Sequence, residues 1–330
     1  METLSNIVTY SLVHATLRMS TPVVLATLAA VISRQGGITN IGIEGIMLFG
    51  AYFGFVSAWV SGNWLWGVAA SVVAGVVVSA AIGIVHLKHN THIFVIGFAM
   101  NMLALGGTRF LLQQMFNVSG ALLVDKPVTL PILRLSLAER NPVTASLFSG
   151  YSLFELLAPL LVLGVWYVLY RTAAGLRLRS VGLHEPAARS AGIDVYRVKM
   201  RAILLSGVFA GIAGAHLSMG YSSMFVENMT NGRGFMALAA ANFGGGNPIY
   251  AFLGCLVFGL SDSIAIRLQS TGIPAQFVLM VPYLVTVAVL TSAMIGHSRR
   301  SDAARIARKL TEEIQGKEIR GKANEKGKGS

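Results

Sequence analysis

Three histidines, His86, His89 and His92, stand three apart in the stretch HLKHNTH. On a helix that spacing gathers them on one face, where imidazoles can hold a metal ion. The stretch also carries Lys88 and lies between two apolar runs, so it reads more simply as a polar connection. Ser206, in SGVFAG, lacks the strand–turn–helix setting of a nucleophile elbow. GGGNP, 244–248, has neither the lysine nor the spacing of a phosphate-binding loop, and no G-x-x-x-x-G-K-S/T motif occurs elsewhere. No catalytic residue, metal motif or cofactor signature is assigned. One carboxylate stands out. Glu44 lies in GGITNIGIEGIMLFGAYFG, where a polar turn holding Gly36, Gly37, Gly42 and Gly45 passes into an apolar helix. If Asn40 caps that helix, Glu44 sits in its opening turns, where a carboxylate interacts well with the helix N-terminus.

The elements that must position these residues are membrane helices. Of 330 residues, 54% are hydrophobic and 12% charged, against roughly a quarter charged in a soluble domain. Apolar runs recur at about 20 residues, the length that crosses a hydrocarbon core of about 30 Å. The net charge of +12 first suggests nucleic acid, but its placement argues otherwise. Ten of the 26 Lys and Arg lie beyond Ser298, and seven more lie in the stretch 171–201. Such clustering fits the excess of Lys and Arg on cytoplasmic loops, with some contact to anionic lipid. The single cysteine, Cys255, sits in an apolar run as a small packing residue. The N-terminus, with acidic Glu2 and no basic region, does not read as a cleaved signal peptide.

The expected fold is all-α: a polytopic transmembrane bundle of about ten spans. They are 6–17, 22–32, 41–60, 64–85, 93–116, 151–170, 202–221, 235–243, 249–268 and 277–295. The proline of Ser20-Thr21-Pro22 marks the start of the second, and the eighth is too short to cross alone. Residues 1–297 form the membrane domain and 298–330 a basic cytoplasmic tail. The stretch 117–150, of mixed charge, suits the outer face.

Polar residues inside spans are costly, at least about 2.5 kcal/mol for a central charge, so they face protein or water. Asn101 and Arg109 interrupt the fifth span; Asp262 and Arg267 interrupt the ninth. Asp262 is one step out of helical register for Arg267 and is expected either to pair with Arg109 or to line a path.

In LHEPAARSAGID, Pro186 suits the first turn of a short helix and Gly192 its stop. Ala187, Ala188 and Ala191 give it a small-sided surface ringed by basic residues. Here the chain resembles the permease subunits of bacterial ATP-binding-cassette importers of the branched-chain amino acid, simple sugar and nucleoside group. That family commonly shows Glu-Ala-Ala-Arg followed by Gly-Ile. This chain has Pro186-Ala187-Ala188-Arg189 and Gly192-Ile193, with Glu185 one position early. LSGVFAGIAGAHL, MTNGRGFMALAAANFGGGNP, PYLVTVAVL and, most discriminatingly, NIGIEG resemble the nucleoside branch.

The resemblance implies two ATPase subunits, a second permease (homologous or identical), an extracytoplasmic substrate-binding protein and a small-molecule solute. It also implies a bacterial inner-membrane location and no enzyme activity in this chain. ATP hydrolysis falls to a separate chain, in keeping with the missing phosphate loop. The 171–201 loop, with Glu185, Pro186, Ala187, Ala188, Arg189 and Gly192, becomes the ATPase-coupling element. The family's two inverted halves correspond to spans two to five and seven to ten, each holding one glycine-broken segment, at 36–45 and 231–248. Paired interruptions of this kind mark a transport path. A nucleoside needs hydrogen bonds and an aromatic face, which Asn40, Glu44, Asn101, Asn231, Asn242, Phe243, Asp262 and Tyr283 offer. The alternatives are a ribose-type sugar permease and an ion-coupled secondary transporter.

Overall fold

The computed structural model describes residues 2–133 and 150–269, with positions 280 and 284. The expected span 277–295, Tyr283 and the tail 298–330 lie outside the described residues, the two isolated positions apart. The helices are α1 (Glu2–Gln35), α2 (Ile43–Ser61), α3 (Trp64–Lys88), α4 (Ile93–Phe116), α5 (Leu153–Arg171), α6 (Ala173–Leu183), α7 (Glu185–Ser190), α8 (Val195–Ala215), α9 (Arg233–Phe243) and α10 (Pro248–Gln269). A π-helical turn, His216–Tyr221, extends α8. Among the described residues, seven stretches are long and apolar enough to cross a membrane, in α1 to α5, α8 and α10.

The expectation of about ten spans is corrected at the N-terminal end. The first two spans are one helix, because α1 runs unbroken through Pro22. Proline removes one backbone donor, and in a membrane Ser and Thr side chains can re-satisfy the freed groups. Just before Pro22, Ser20 and Thr21 both donate to the Leu17 carbonyl, at 3.0 and 2.8 Å, one turn of polar side chains folded onto the helix backbone. The short eighth span is α9, 11 residues long, which is about half a crossing.

Hydrophobic all round, α1 is buried all round from Val23 to Val31. With α2 and α8 it forms the centre. The most apolar stretches of these three are 72%, 67% and 72% buried, against 28% to 39% for α3, α4, α5 and α10. The outer helices turn Val73, Val77, Phe94, Met102, Phe110 and Leu163 outward, as lipid contact requires. Cys255 is fully buried, with its Sγ 3.1 Å from Thr27 Oγ1.

Helix α8 runs antiparallel to α3. Gly83 faces Met200 and Ile203, Gly75 faces Gly207, and Gly67 faces Met219. Lys88 and the start of α8 therefore share one face of the bundle, together with α6, α7 and the end of α1, where Gly37 packs on Gly182. This is called the basic face below. Ser61 and Trp64 mark the far face. Two small ladders lie there, β1 (Ala121–Leu122) with β4 (Phe225–Val226) and β2 (Ile132–Leu133) with β3 (Tyr151–Ser152).

Candidate functional site: two helix N-termini meeting at Glu44

After α1 ends on the basic face, residues 36–42 climb back along α4. Gly42 packs against Gly97, and Gly45 against Met100 and Asn101. Asn101 is eight residues into α4, about 12 Å from its end at 1.5 Å per residue. Helix α2 thus begins near mid-membrane and runs to the far face. Residues 227–232 descend from β4 on the far face, and α9 then runs toward the basic face, where the Gly246 carbonyl accepts from Gln35 Nε2 at 2.7 Å. The 19-residue α2 and the 11-residue α9 point in opposite directions and meet N-terminus to N-terminus.

Glu44 joins them. Its Oε1 accepts from Gly232 N–H at 2.8 Å and its Oε2 from Gly234 N–H at 2.6 Å. The residue is 8% exposed. The opening N–H groups of any helix lack internal partners and carry about half a positive charge. Two such ends facing each other in a dry interior would be costly; the Glu44 carboxylate takes two N–H groups of the α9 end, and Asn101 takes one of the α2 end. A Cβ at Gly234 would come 2.7 Å from the Glu44 backbone, so only glycine permits this approach.

Asn101 holds the α2 start. Its Oδ1 accepts from Gly45 N–H at 2.8 Å, and its Nδ2 donates to the Ile41 carbonyl at 3.1 Å. Asn40 does not cap α2 as expected; the cap position is Gly42. The Asn40 Oδ1 instead accepts from Gly42 N–H at 3.1 Å, and its Nδ2 donates to Ser206 Oγ at 3.3 Å. The reason is that the chain turns at 40–42 before it coils, so the amide folds back on its own turn.

The expected Asp262–Arg109 pair does not form. Arg109 reaches Glu227, 3.6 Å away on the far face, because α4 passes β4 rather than α10 there. Asp262 lies in the field of Arg233 instead. Arg233 and Arg18 both lie over the Tyr221 ring, at 5.8 and 5.5 Å from its centroid. Thr230 Oγ1 and Arg233 Nε are buried without a hydrogen-bond partner. Phe235 and Asn242 are exposed along one face of α9, and Asn231 is exposed in the turn that precedes it, at φ 41°. Phe235 is 42% exposed, with the Phe98 ring 6.3 Å away. Phe243 turns inward instead, against Phe258.

One buried polar group was not anticipated. Ser152 Oγ and Glu155 Oε1 approach the same His216 nitrogen, Nε2, at 3.1 and 3.5 Å. A nucleophilic triad needs its serine and carboxylate on opposite ring nitrogens, so this group pins α5 to the π-helical turn rather than doing chemistry. The Ser-x-x-Glu spacing at 152–155 was the available signal, a capping box that the structure forms.

The three histidines do not gather. His86 lies within α3 and bonds the Thr91 carbonyl, His89 ends that helix and His92 precedes α4. No group of three metal-ligating side chains occurs among the described residues.

On the basic face, His184 caps α7 by accepting from Ala187 N–H at 3.1 Å. Gly192, at φ 79°, closes it: Gly192 N–H bonds the Arg189 carbonyl and Ile193 N–H the Ala188 carbonyl. This is the Schellman arrangement that a left-handed glycine allows. Glu185 accepts from Lys199 at 2.6 Å and from Arg189 at 3.1 Å. The Lys199 hydrogen bond holds the Glu185 carboxyl below its ordinary pKa. Ala188 does not join the small outer surface expected of it. It is 4% exposed and packs with Val181 and Val195, whereas Pro186, Ala187 and Ala191 face out.

A polytopic bundle in which a spanning helix and a short helix oppose their N-termini inside the protein has the build of a transport subunit. The chain belongs to the branched-chain amino acid transport system permease component family, whose model matches residues 12–290. It is 36% identical to the nucleoside ABC transporter permease protein NupC of Lactococcus lactis, over 82% of this chain and 88% of that one. It is 33% identical to the guanosine ABC transporter permease protein NupQ of Bacillus subtilis, over 88% and 93%. It is also 31% identical, over 90% and 94%, to TsgC13 of Haloferax volcanii, a provisionally named glucose ABC transporter permease. No solved structure matches. The chain is thus a multi-pass permease subunit of an ATP-binding-cassette transporter, a transport component rather than an enzyme, which works with ATPase subunits and a substrate-binding protein.

Proposed function

We propose that this permease imports nucleosides across a bacterial inner membrane, with its basic face in the cytoplasm. The observation that carries the substrate is the exposed face of α9. It presents Phe235 and Asn242, and the exposed amide of Asn231 lies in the turn before it. Uncovered polar groups at membrane depth must face a wet cavity or protein. Amides and an aromatic ring suit a neutral solute with hydroxyls and a stackable base. The nucleoside and guanosine transport named for NupC and NupQ supports the same reading. The glucose transport named for TsgC13 supports the sugar alternative.

Uptake of radiolabelled uridine, adenosine, ribose and glucose by cells carrying the complete transporter separates the two. Nucleosides are expected to accumulate, and transport of sugars alone would contradict the reading. Base–aromatic stacking contributes about 1–3 kcal/mol, so Phe235→Ala should lower uptake of dilute uridine roughly tenfold while leaving the protein folded. Unchanged uridine uptake in that variant would remove Phe235 from the path.

In this reading α2 and α9 belong to two inverted halves, and their opposite directions about Glu44 support it. Asn40, Glu44 and Asn101 hold the junction, and Asp262, beside Arg233, borders it. The solute meets the α9 face between this permease and a second one, identical or homologous. Tyr283 belongs to the same path, whereas Phe243, turned inward against Phe258, supports α9 from behind. Residues 1–297 form the permease domain and 298–330 a basic cytoplasmic tail.

Helix α7 is the ATPase-coupling element, with Glu185, Arg189 and Gly192 fixing its shape and Pro186, Ala187 and Ala191 meeting the partner. Ala188 supports it from beneath. Ala187→Arg should therefore leave insertion and thermal stability unchanged while ATPase co-purification and uptake both fall, about tenfold. Normal co-purification and uptake would take α7 out of the coupling.

A further inference from the structure

An open groove of about 480 Å³ lies between α5, α6 and α8 beside the basic face, with Ile32 of α1 as its floor. Its walls are apolar, among them Leu160, Val165, Leu205 and Phe209, and no acidic residue lines it. Two cations do, Arg177 and Arg201. Their situation differs from that of the five other basic residues of the 171–201 stretch. Arg171 lies over Trp166 and Arg179 over Tyr170. Arg189 and Lys199 share Glu185, and Arg197 pairs with Asp194. Among the described residues, Arg177 and Arg201 have no acidic or aromatic partner, and both are exposed.

Depth completes the picture. From Arg201 to Phe209 the α8 wall spans eight residues, about 12 Å. That is close to one leaflet of a hydrocarbon core about 30 Å thick. The groove is thus cationic where lipid headgroups lie and apolar where acyl chains lie. We propose that it is a binding site for an anionic phospholipid of the leaflet on the basic face. The two guanidiniums take the phosphate, as forked donors suited to its oxygens, and an acyl chain fills the channel between α5 and α8. Because the groove adjoins α6, which leads directly into α7, a lipid there would brace the segment that carries the proposed coupling helix. The lipid proposal itself does not depend on that coupling.

Native mass spectrometry of the full-length chain tests the proposal, with phosphatidylglycerol and phosphatidylcholine of matched acyl chains added at equal concentration. Each basic contact with anionic lipid is worth roughly a factor of five. The wild type should therefore prefer phosphatidylglycerol by about thirtyfold, and the exposed-site double variant R177Q/R201Q should lose that preference. Gly164 lines the groove and has open space beside its Cα. Gly164→Leu should accordingly fill the channel and weaken both lipids without disturbing the fold. An undiminished phosphatidylglycerol preference in R177Q/R201Q would overturn the proposal. So would retention of both lipids by Gly164→Leu, or a wild-type dimer mass that carries no lipid, which would assign the groove to a second copy.

Discussion

Glu44→Ala should abolish uptake and cost roughly 3–6 kcal/mol of stability, from two charge-assisted hydrogen bonds at about 1.5–3 kcal/mol each. The Gly232 and Gly234 N–H groups would be left facing the α2 N-terminus with nothing to accept them. Two partly positive helix ends would then oppose each other at mid-depth. Glu44→Gln separates the contributions. Its amide keeps one acceptor and turns a donor toward the other N–H, so an intermediate loss is expected. Thermal unfolding of purified protein, measured beside uptake, checks both. If Glu44→Ala unfolded at the wild-type temperature, the carboxylate would not be what joins α2 to α9.

The second large effect lies where α8 crosses α3. A Cβ at Gly207 would press on Ser79 and on the Gly75 carbonyl. Overpacking usually costs about 1–3 kcal/mol, and here the obstruction includes backbone, which has no rotamer by which to yield. Gly207→Val should therefore cost about 3 kcal/mol and reduce the yield of folded protein. Gly106, on α4, is the control: a Cβ there meets nothing within 4 Å. Gly106→Ala should be neutral or gain up to about 1 kcal/mol of helix propensity. Equal stability of the two variants would mean that α3 and α8 do not approach closely.

The same contrast shows what was legible in the residues alone. Apolar run length gave the membrane helices, since span length is set by bilayer thickness. Pro186 and Gly192 located the ends of α7 because their backbone preferences are local. Pro22 misled for the complementary reason. It reads locally as a helix start, yet α1 runs unbroken through it, packed on all sides by its neighbours from Val23 onward. The marked stretch around Glu44 was visible, but its partner was not. Gly232 lies 188 residues away, and only the bundle brings the two N-termini together. Asn101 likewise reads as an isolated amide until α4 lays it against residues 41 and 45. Ala188 shows the limit on a short helix, where composition suggests a small surface but cannot say which alanine turns inward.

The central claim is that this chain conducts a nucleoside and takes its energy from separate ATPase subunits. Proteoliposomes holding the permeases, ATPases and binding protein, loaded with radiolabelled uridine outside, test it directly. The account predicts accumulation that requires the ATPase subunits and ATP on the α7 side. Uphill accumulation by this chain alone, driven by an ion gradient, would contradict it.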